Sequence, residues 1–469
     1  MKDGAVLGDA YGATLERIMA QGKEKIELAM ATLTWVCYSE RPLLEDELCN
    51  ALAVEIGIED FDPENIPPIA TLLDCCQGLI TVEKKALTVR LIHYTVQEYL
   101  CNHPDLFSKP HSILAETCLT YLNSQQFKNL PSHPPSDHHS TLFLNYSSRY
   151  WGIHARRELS DRARALALEL LSQYEGHISA VSLLEQVIRP SDFEGIGAAW
   201  RFSGLHCASF FGIVELVSVL IDVEGHRINQ PDGGGSTPLS WATENGHEGV
   251  VRLLLERSDV DPNGQDVNDR SPLVYAALEG HEGVVKLLLE REDIDPNRPD
   301  VNDRTPLGYA AVKGYEGVVR LLLERGDVDP NRQGVNDRPP LVYAALEGHE
   351  GVVKLLLERE DIDPNRPDVN NRTPLGYAAV KGYEGVVRLL LERGDVDPNH
   401  QDANDRTPLG GAAINGHEGV VKLLLGREDV DPSRPDKHGS TPLTHAARTG
   451  HGRIVELLQA RISVGGAGT

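Results

Sequence analysis

The sequence predicts a mainly α-helical protein whose C-terminal half is a solenoid of about eight stacked repeats, preceded by a half of different texture. Three observations lead there. From Ser203 onward a Thr-Pro-Leu triplet or close variant recurs every 34 residues, its second residue at Gly204, Pro238, Pro272, Pro306, Pro340, Pro374, Pro408 and Pro442. Each unit reads as two short helices and a polar loop. No unit can bury its own apolar faces, but its neighbours can bury them.

Residues 305–338 show how the unit is built. Thr305 is an N-cap whose hydroxyl accepts from the free amides of the first turn, and Pro306 suits the first helical position, where no amide hydrogen is needed. Leu307, Ala310 and Ala311 supply a small-residue packing face, and Gly314 ends the helix in a left-handed cap. Val318, Val319, Leu321, Leu322 and Leu323 form the apolar side of a second helix, and Pro330 blocks its continuation. The rest, up to Arg338, is polar and turn-forming.

TPLGYAAVKGYEGVVRLLLERGDVDPN and its seven relatives resemble the ankyrin repeat across residues 203–461. The resemblance implies a β-hairpin tip in each loop, a curved stack, and a concave face of hairpin tips and first helices that binds protein. The sequence departs from the family in three ways. The unit is one residue longer than the usual 33, an excess placed around Asp329-Pro330-Asn331. The tip glycine is replaced by Asp269, Asp303, Asp337, Asn371 and Asp405, residue types that best tolerate positive φ. The histidine after leucine survives only as His206; Val274, Gly308, Val342, Gly376 and Gly410 stand elsewhere, which predicts weaker bonding between loops.

By the same resemblance, the residues before the repeat glycine point into the concave groove. They are Glu244/Asn245, Leu278/Glu279, Val312/Lys313, Leu346/Glu347, Val380/Lys381, Ile414/Asn415 and Arg448/Thr449. The middle of this column alternates Glu and Lys beside an aliphatic stripe. Such a surface suits a helix or extended segment of complementary charge; charge pairing between neighbouring repeats is the competing reading. Tyr275, Tyr309, Tyr343 and Tyr377 are expected to pack between repeats.

The array also contains a larger copy of itself. Residues 271–304 and 339–372 differ only at Ser271/Pro339 and Asp303/Asn371, and residues 305–338 and 373–406 differ at three positions. A 68-residue block has been duplicated, so no single residue in its middle is expected to be irreplaceable. The ends differ. Gln459 replaces the leucine found at 425, giving a more polar last unit, whereas Phe210, Phe211, Ile213, Val217 and Ile221 make the first unit too apolar for a free end. The preceding helices are expected to cover it.

In the N-terminal half, residues 23–38, 44–55 and 67–76 pattern as helices, and 79–95 as two strands around a turn at Lys84-Lys85-Ala86. Three helices followed by a hairpin is a winged-helix layout. Helical patterns return at 111–123, 141–157, 160–174 and 179–188. TLERI (14–18), residues 28–57, LLDCCQGLITVE (72–83), VRLIHYTVQEYL (89–100) and RYWGIHARR (149–157) resemble fungal NACHT–ankyrin proteins, NLR-like signalling ATPases in which these segments follow the nucleotide-binding domain. The chain has no GxxxxGK[ST] loop and so no backbone cradle for phosphates. Expected divisions are a leader left from an NTPase-linked helix (1–22), a winged-helix-like domain (23–107), a helical domain (108–200), the array (201–461) and a flexible tail (462–469).

The net charge of −25 disfavours non-specific binding to nucleic acid or anionic membranes. No apolar run approaches the roughly 18 residues a membrane span needs, and the start lacks a signal-peptide pattern. A cytoplasmic setting is expected, with the nucleus left open. The seven cysteines show no CxxC pair and read as buried free thiols. The third helix carries no Lys or Arg, which argues against a DNA-recognition role. His133, His138 and His139 lack the spacing of a zinc site. Asp327-Val-Asp329 fails as a calcium loop at Arg332 and Arg338. Gly195 and Gly197 lack the third glycine of a dinucleotide site. No catalytic, cofactor or metal residue is predicted. Two functions follow: a non-enzymatic scaffold or sensor binding a protein, its N-terminal half docking on an NTPase chain, or part of a NACHT signalling NTPase of the innate-immunity or heterokaryon-incompatibility type.

Overall fold

The structure, a computed structural model, describes residues 2–58, 60–128, 142–187, 201–224 and 227–465. The chain forms two compact units, residues 1–245 and 246–469. The histidine-rich loop and the Gly195/Gly197 pair lie outside the described residues.

The first unit begins with α1 (Lys2–Met19), α2 (Lys23–Tyr38), β1 (Leu43–Leu44), α3 (Glu45–Leu52), α4 (Ile69–Cys75), β2 (Ile80–Glu83), β3 (Thr88–Leu91) and α5 (Tyr94–Cys101). The three strands form an antiparallel sheet in the order β1-β3-β2, with Val89 paired to both Leu43 and Val82. This is the winged-helix arrangement. Helix α3 starts where the Glu47 carboxylate accepts from the Leu44 amide at 2.9 Å while Arg41 pairs with it at 2.6 Å. The wing turns at residues 84–87, closed by Leu87 N donating to Glu83 O at 2.8 Å.

Two details differ from the sequence expectation. β1 is too short to show alternation and went unpredicted. The second wing strand stops at Leu91, because His93 Nδ1 accepts from the Thr95 amide and turns the chain into α5 instead.

Helices α6 (Pro110–Asn123), α7 (Gln125–Lys128), α8 (Leu144–Arg157), α9 (Asp161–Ser172) and α10 (Ile178–Val187) follow. Trp35 of α2 meets Phe143 and Tyr146 edge-on at 5.5 and 5.7 Å, so the winged module and the helical region share one aromatic core. Six of the seven cysteines are buried and Cys101 is exposed, against the expectation for that one residue. Burial pushes Cys37 and Cys76 up to about 12, so the Cys75-Cys76 pair has no thiolate character.

The first repeat helices, α11 (Gly204–Phe211), α12 (Val214–Glu224) and α13 (Pro238–Glu244), belong to this same unit. Phe211 packs on Trp151 of α8 at 5.1 Å, and Phe211, Ile213, Val217 and Ile221 are buried. The apolar first repeat is therefore covered by the helices before it.

The second unit opens with α14 (Glu248–Leu255) and continues in pairs: α15 (Pro272–Glu279) and α16 (Glu282–Leu289), α17 (Pro306–Lys313) and α18 (Glu316–Leu323), α19 (Pro340–Glu347) and α20 (Glu350–Leu357), α21 (Pro374–Lys381) and α22 (Glu384–Glu392), α23 (Pro408–Asn415) and α24 (Glu418–Leu425), α25 (Pro442–Thr449) and α26 (Gly452–Gly465). The capping logic read from residues 305–338 holds: Thr305 Oγ1 accepts from Gly308 N at 3.1 Å, and Gly314 closes the helix at φ 76°. That glycine is doubly required, since a Cβ there would stand 2.6 Å from the His349 ring of the next repeat. Helix α26 runs to Gly465, so the first four residues of the expected flexible tail are helical.

Polar ladders join the units. In the Asp-Pro-Asn segment, Asn297 Oδ1 accepts from Asp329 N at 2.8 Å while its Nδ2 donates to Asp327 O at 2.6 Å, and Asn331, Asn365 and Asn399 repeat the pattern. Arg325 pairs with Asp327 and also donates to Leu289 O and Arg291 O at 3.1 and 3.2 Å, satisfying carbonyls at the C-terminus of α16. The corresponding arginines 291, 359, 393 and 427 do likewise.

Candidate protein-binding groove

The loop tips are corners, not full hairpins; the one β-bridge among the described loops joins Gly334 and Arg338. In the others the equivalent backbone bond also forms, as from Asp300 N to Arg304 O at 3.1 Å, and an aspartate carboxylate reinforces the corner. Asp300 Oδ1 accepts from the amides of Asn302 and Arg304 at 2.9 and 3.0 Å, and Asp266, Asp368, Asp402 and Asp436 do the same. Asp269, Asp303, Asp337, Asn371 and Asp405 take φ between 51° and 57°, as the sequence predicts for a tip without glycine. Backbone bonds such as Val301 N to Asn268 O, 2.9 Å, tie successive tips together.

The other oxygen of each aspartate faces the first helix. Tyr275 donates to Asp266 Oδ2 at 2.6 Å and Tyr309 to Asp300 Oδ2 at 2.5 Å; Tyr377 bonds Asp368 in the same way. The tyrosines are 4–6% exposed, so they pack between repeats and are not contact residues. Arg304 lies between Tyr309 and Tyr343, 4.8 and 5.0 Å from their ring centres, and Arg338 and Arg372 flank Tyr377 at 5.4 and 5.1 Å. Burial pushes the Asp368 carboxyl upward, but bonds from Tyr377, two backbone amides and Arg338 outweigh it and hold it below the usual range. This Asp–Tyr–Arg stack does the loop bonding expected to be weak without the family histidine. His206 itself is fully buried, with Nδ1 accepting from Ser203 N at 3.1 Å and Nε2 donating to Gln230 O at 3.0 Å. Sequence reading missed the stack, although an aspartate stands nine residues before Tyr275, Tyr309 and Tyr377.

Gly334 is the exception: it stands where the other tips have aspartate, and Tyr343 donates to Val335 O at 3.0 Å instead. Restoring the acceptor by Gly334→Asp is expected to stabilise the array by about 1 kcal/mol, read as a raised urea midpoint in circular dichroism.

The predicted groove column is graded by exposure. Leu278, Val312, Leu346, Val380 and Ile414 are half-buried; Glu279, Lys313, Glu347, Lys381, Asn415 and Arg448 are exposed. Among the described residues none of Glu279, Lys313, Glu347 and Lys381 forms an ion pair with another of them. Glu244 is half-buried and lies in α13 of the first unit. Three carbonyls beneath are engaged by histidines of the next repeat: Val312 O by His349 Nε2 and Val380 O by His417 Nε2, each at 2.9 Å, and Ile414 O by His451 Nε2 at 3.2 Å.

Residues 168–266, 258–334, 326–402 and 394–465 match the family model for ankyrin repeats. The chain belongs to the ankyrin-repeat family. Ahead of the ankyrin array, residues 15–109 match the winged helix domain of GPI inositol-deacylase. A curated relative, "Azaphilone pigments biosynthesis cluster protein L" of Monascus ruber, is 28% identical over 292 residues, covering 52% of this chain and 58% of that protein. The chain thus spans under two thirds of that relative's length. No helix among the described residues is long and apolar enough to cross a membrane.

One cluster outside the ankyrin array has metal-ligand composition: Glu40, His111 and His154. Its atoms are already engaged. His154 meets His111 through the two Nδ1 atoms and Tyr146 OH through Nε2, each at 2.9 Å, and Glu40 pairs with Arg157. Burial, then His111 and Arg157, push His154 down to about 3, so it is neutral, and the group reads as a structural relay.

Proposed function

We propose that the ankyrin array captures a protein segment along its concave face. The observation that supports this most is the column itself: Glu279, Lys313, Glu347 and Lys381 stand exposed, without ion pairs among themselves, beside half-buried aliphatic residues. Charges satisfied by their neighbours would argue for a solvated face; these are open to a partner carrying charges at matching intervals, with the aliphatic stripe as desolvated anchors. The test compares the full chain with a Lys313→Glu/Lys381→Glu double variant in capture from lysate followed by a binding isotherm. About tenfold weaker binding and a changed salt dependence are expected. Equal retention of every captured protein by both chains would remove the reading.

The winged-helix match favours a second element. The N-terminal unit is the regulatory neighbour of a NACHT-type NTPase domain, supplied by the same gene or by another chain. Helix α4 carries Asp74 as its one charged residue, tied to Lys25 at 2.8 Å, which fits a protein contact better than a DNA groove. An in-frame GxxxxGK[ST] in the genomic sequence preceding Met1 would place both activities in one polypeptide. We place the protein inside the cell on this reading.

A further inference from the structure

Asp402 keeps the loop-corner role of its counterparts, but the residue nine positions on is Gly411, where the corresponding helices carry Tyr275, Tyr309, Tyr343 and Tyr377. The missing ring leaves a cavity of about 260 Å³ lined by Arg372, Val380, His400, Asp402, Arg406 and Gly411 among others. Val380 and Ile414 of the groove column form part of its wall, and it reaches exposed Asn371 and Asn415 at the surface. Roughly 150 Å³ is enough for a benzene ring.

We propose that this cavity is a receptor for a phenolic ring, a tyrosine side chain of the partner bound in the groove. The protein itself supplies the template. Asp368 Oδ2 accepts from Tyr377 and from Arg338 Nε (3.3 Å) together, so one carboxylate oxygen serves phenol and guanidinium at once. Asp402 Oδ2 already holds Arg372 at 2.7 Å and has the same second lone pair free for a hydroxyl. Arg372 and Arg406 line the cavity, as arginines flank the tyrosine rings elsewhere. His400 differs from its counterpart Arg332 in the copied block, and its Nε2 is shielded from solvent without a hydrogen-bond partner. Three substitutions separate residues 373–406 from 305–338, and two of them, His400 and Asp402, line this cavity. Of these two, Asp402 keeps the aspartate of the other tips, from which Gly334 departs, and His400 is the residue particular to the cavity.

The inference rests on the concave-face reading, and the experiment separates the two. The full chain is titrated with p-cresol, the tyrosine side chain alone, and with toluene, using ligand-detected NMR. Expected are a p-cresol signal, about fivefold weaker binding of toluene, and loss of the p-cresol signal in Gly411→Tyr, which plugs the cavity with the repeat's own ring. A Cβ at Gly411 meets Val380 Cγ2 at 2.7 Å, a side chain able to shift. Should Gly411→Tyr unfold, Asp402→Asn gives the same reading by abolishing the preference for p-cresol over toluene. Absence of binding at millimolar p-cresol, equal binding of both ligands by the wild type, or undiminished partner capture by Gly411→Tyr overturns the proposal. If p-cresol binds as expected while reversal of Lys313 and Lys381 leaves capture untouched, the charged groove fails and the ring site stands.

Discussion

Restoring the repeat's own proline at the first unit, Gly204→Pro, is expected to destabilise the protein by about 3 kcal/mol, the upper range for forced overpacking. Returning a position to its repeat consensus ordinarily helps. Here it cannot, because a Cβ on residue 204 would lie 2.2 Å from Leu171 O and 2.8 Å from Leu171 C. Those are backbone atoms of α9, so the contact is relieved only by lifting α11 off its support. Gly204→Ala should cost nearly as much, which separates the steric cause from proline's lost amide. The partner contact behaves alike: a Cβ on Gly152 would fall 2.1 Å from the Phe211 ring. Urea unfolding followed by tryptophan fluorescence measures the loss, with Pro238→Gly in the same unit as the control, at a cost of about 1 kcal/mol. An unchanged midpoint for Gly204→Ala would mean that α11 does not sit on α9.

Mild acid should unfold the first unit while leaving the second intact. His154 is held down at about 3, and His177 and His206 at about 4, in each case chiefly by burial. Above an ordinary histidine pKa near 6.5 both folded and unfolded chains are neutral there, and stability is full. As pH falls below that value the unfolded chain takes up protons that the folded one refuses, so stability drops until the folded values are reached. Each histidine then removes about 2 kcal/mol by pH 5, against a net stability typically of about 5–15 kcal/mol. In the second unit the displaced groups in the acid range are carboxylates held low, such as Asp293 and Asp327 by their arginine partners and Asp436, at about 2, where amide and His445 bonds outweigh burial. Their contribution is present above an ordinary carboxylate pKa and lost only on descent below it, near pH 4. All four tryptophans, 35, 151, 200 and 241, lie in residues 1–245. Fluorescence should therefore report a transition between pH 6 and 4.5 while much of the helical circular dichroism persists. Coincident transitions would refute the assignment.

Much of the fold could be read from the residues because the determinants are local. Thr305, Pro306 and Gly314 specify where a helix starts and stops through their own backbone preferences, and 34-residue copying multiplies the signal. β1 and α5 were hidden for opposite reasons. Two residues cannot display a period, and His93 redirects an apolar run that alternates well enough to pass for strand. Features that depend on a neighbour one repeat away were harder still. The Asp300–Tyr309 bond was visible as a fixed spacing, but that Arg304 serves two successive rings requires the stack. The cavity at Gly411 is a missing residue, and absence registers in sequence only once the neighbours show what its position normally holds.

The ladders of Asn297, Asn331, Asn365 and Asn399 reach one repeat ahead and no farther, and the run ends where Ser433 replaces asparagine before the last unit. These ladder bonds are thus nearest-neighbour bonds, written twice over in the copied 68-residue block. Repeat number becomes a heritable variable: removing or adding one block rejoins identical bonding partners on both sides of the seam. Within the copied block His281, Tyr315, His349 and Tyr383 alternate against successive glycines, a period of two units, while His417 and His451 follow one another at the end of the array. Natural length variants of this gene should therefore differ by even numbers of repeats, each step lengthening the groove by one Glu and one Lys.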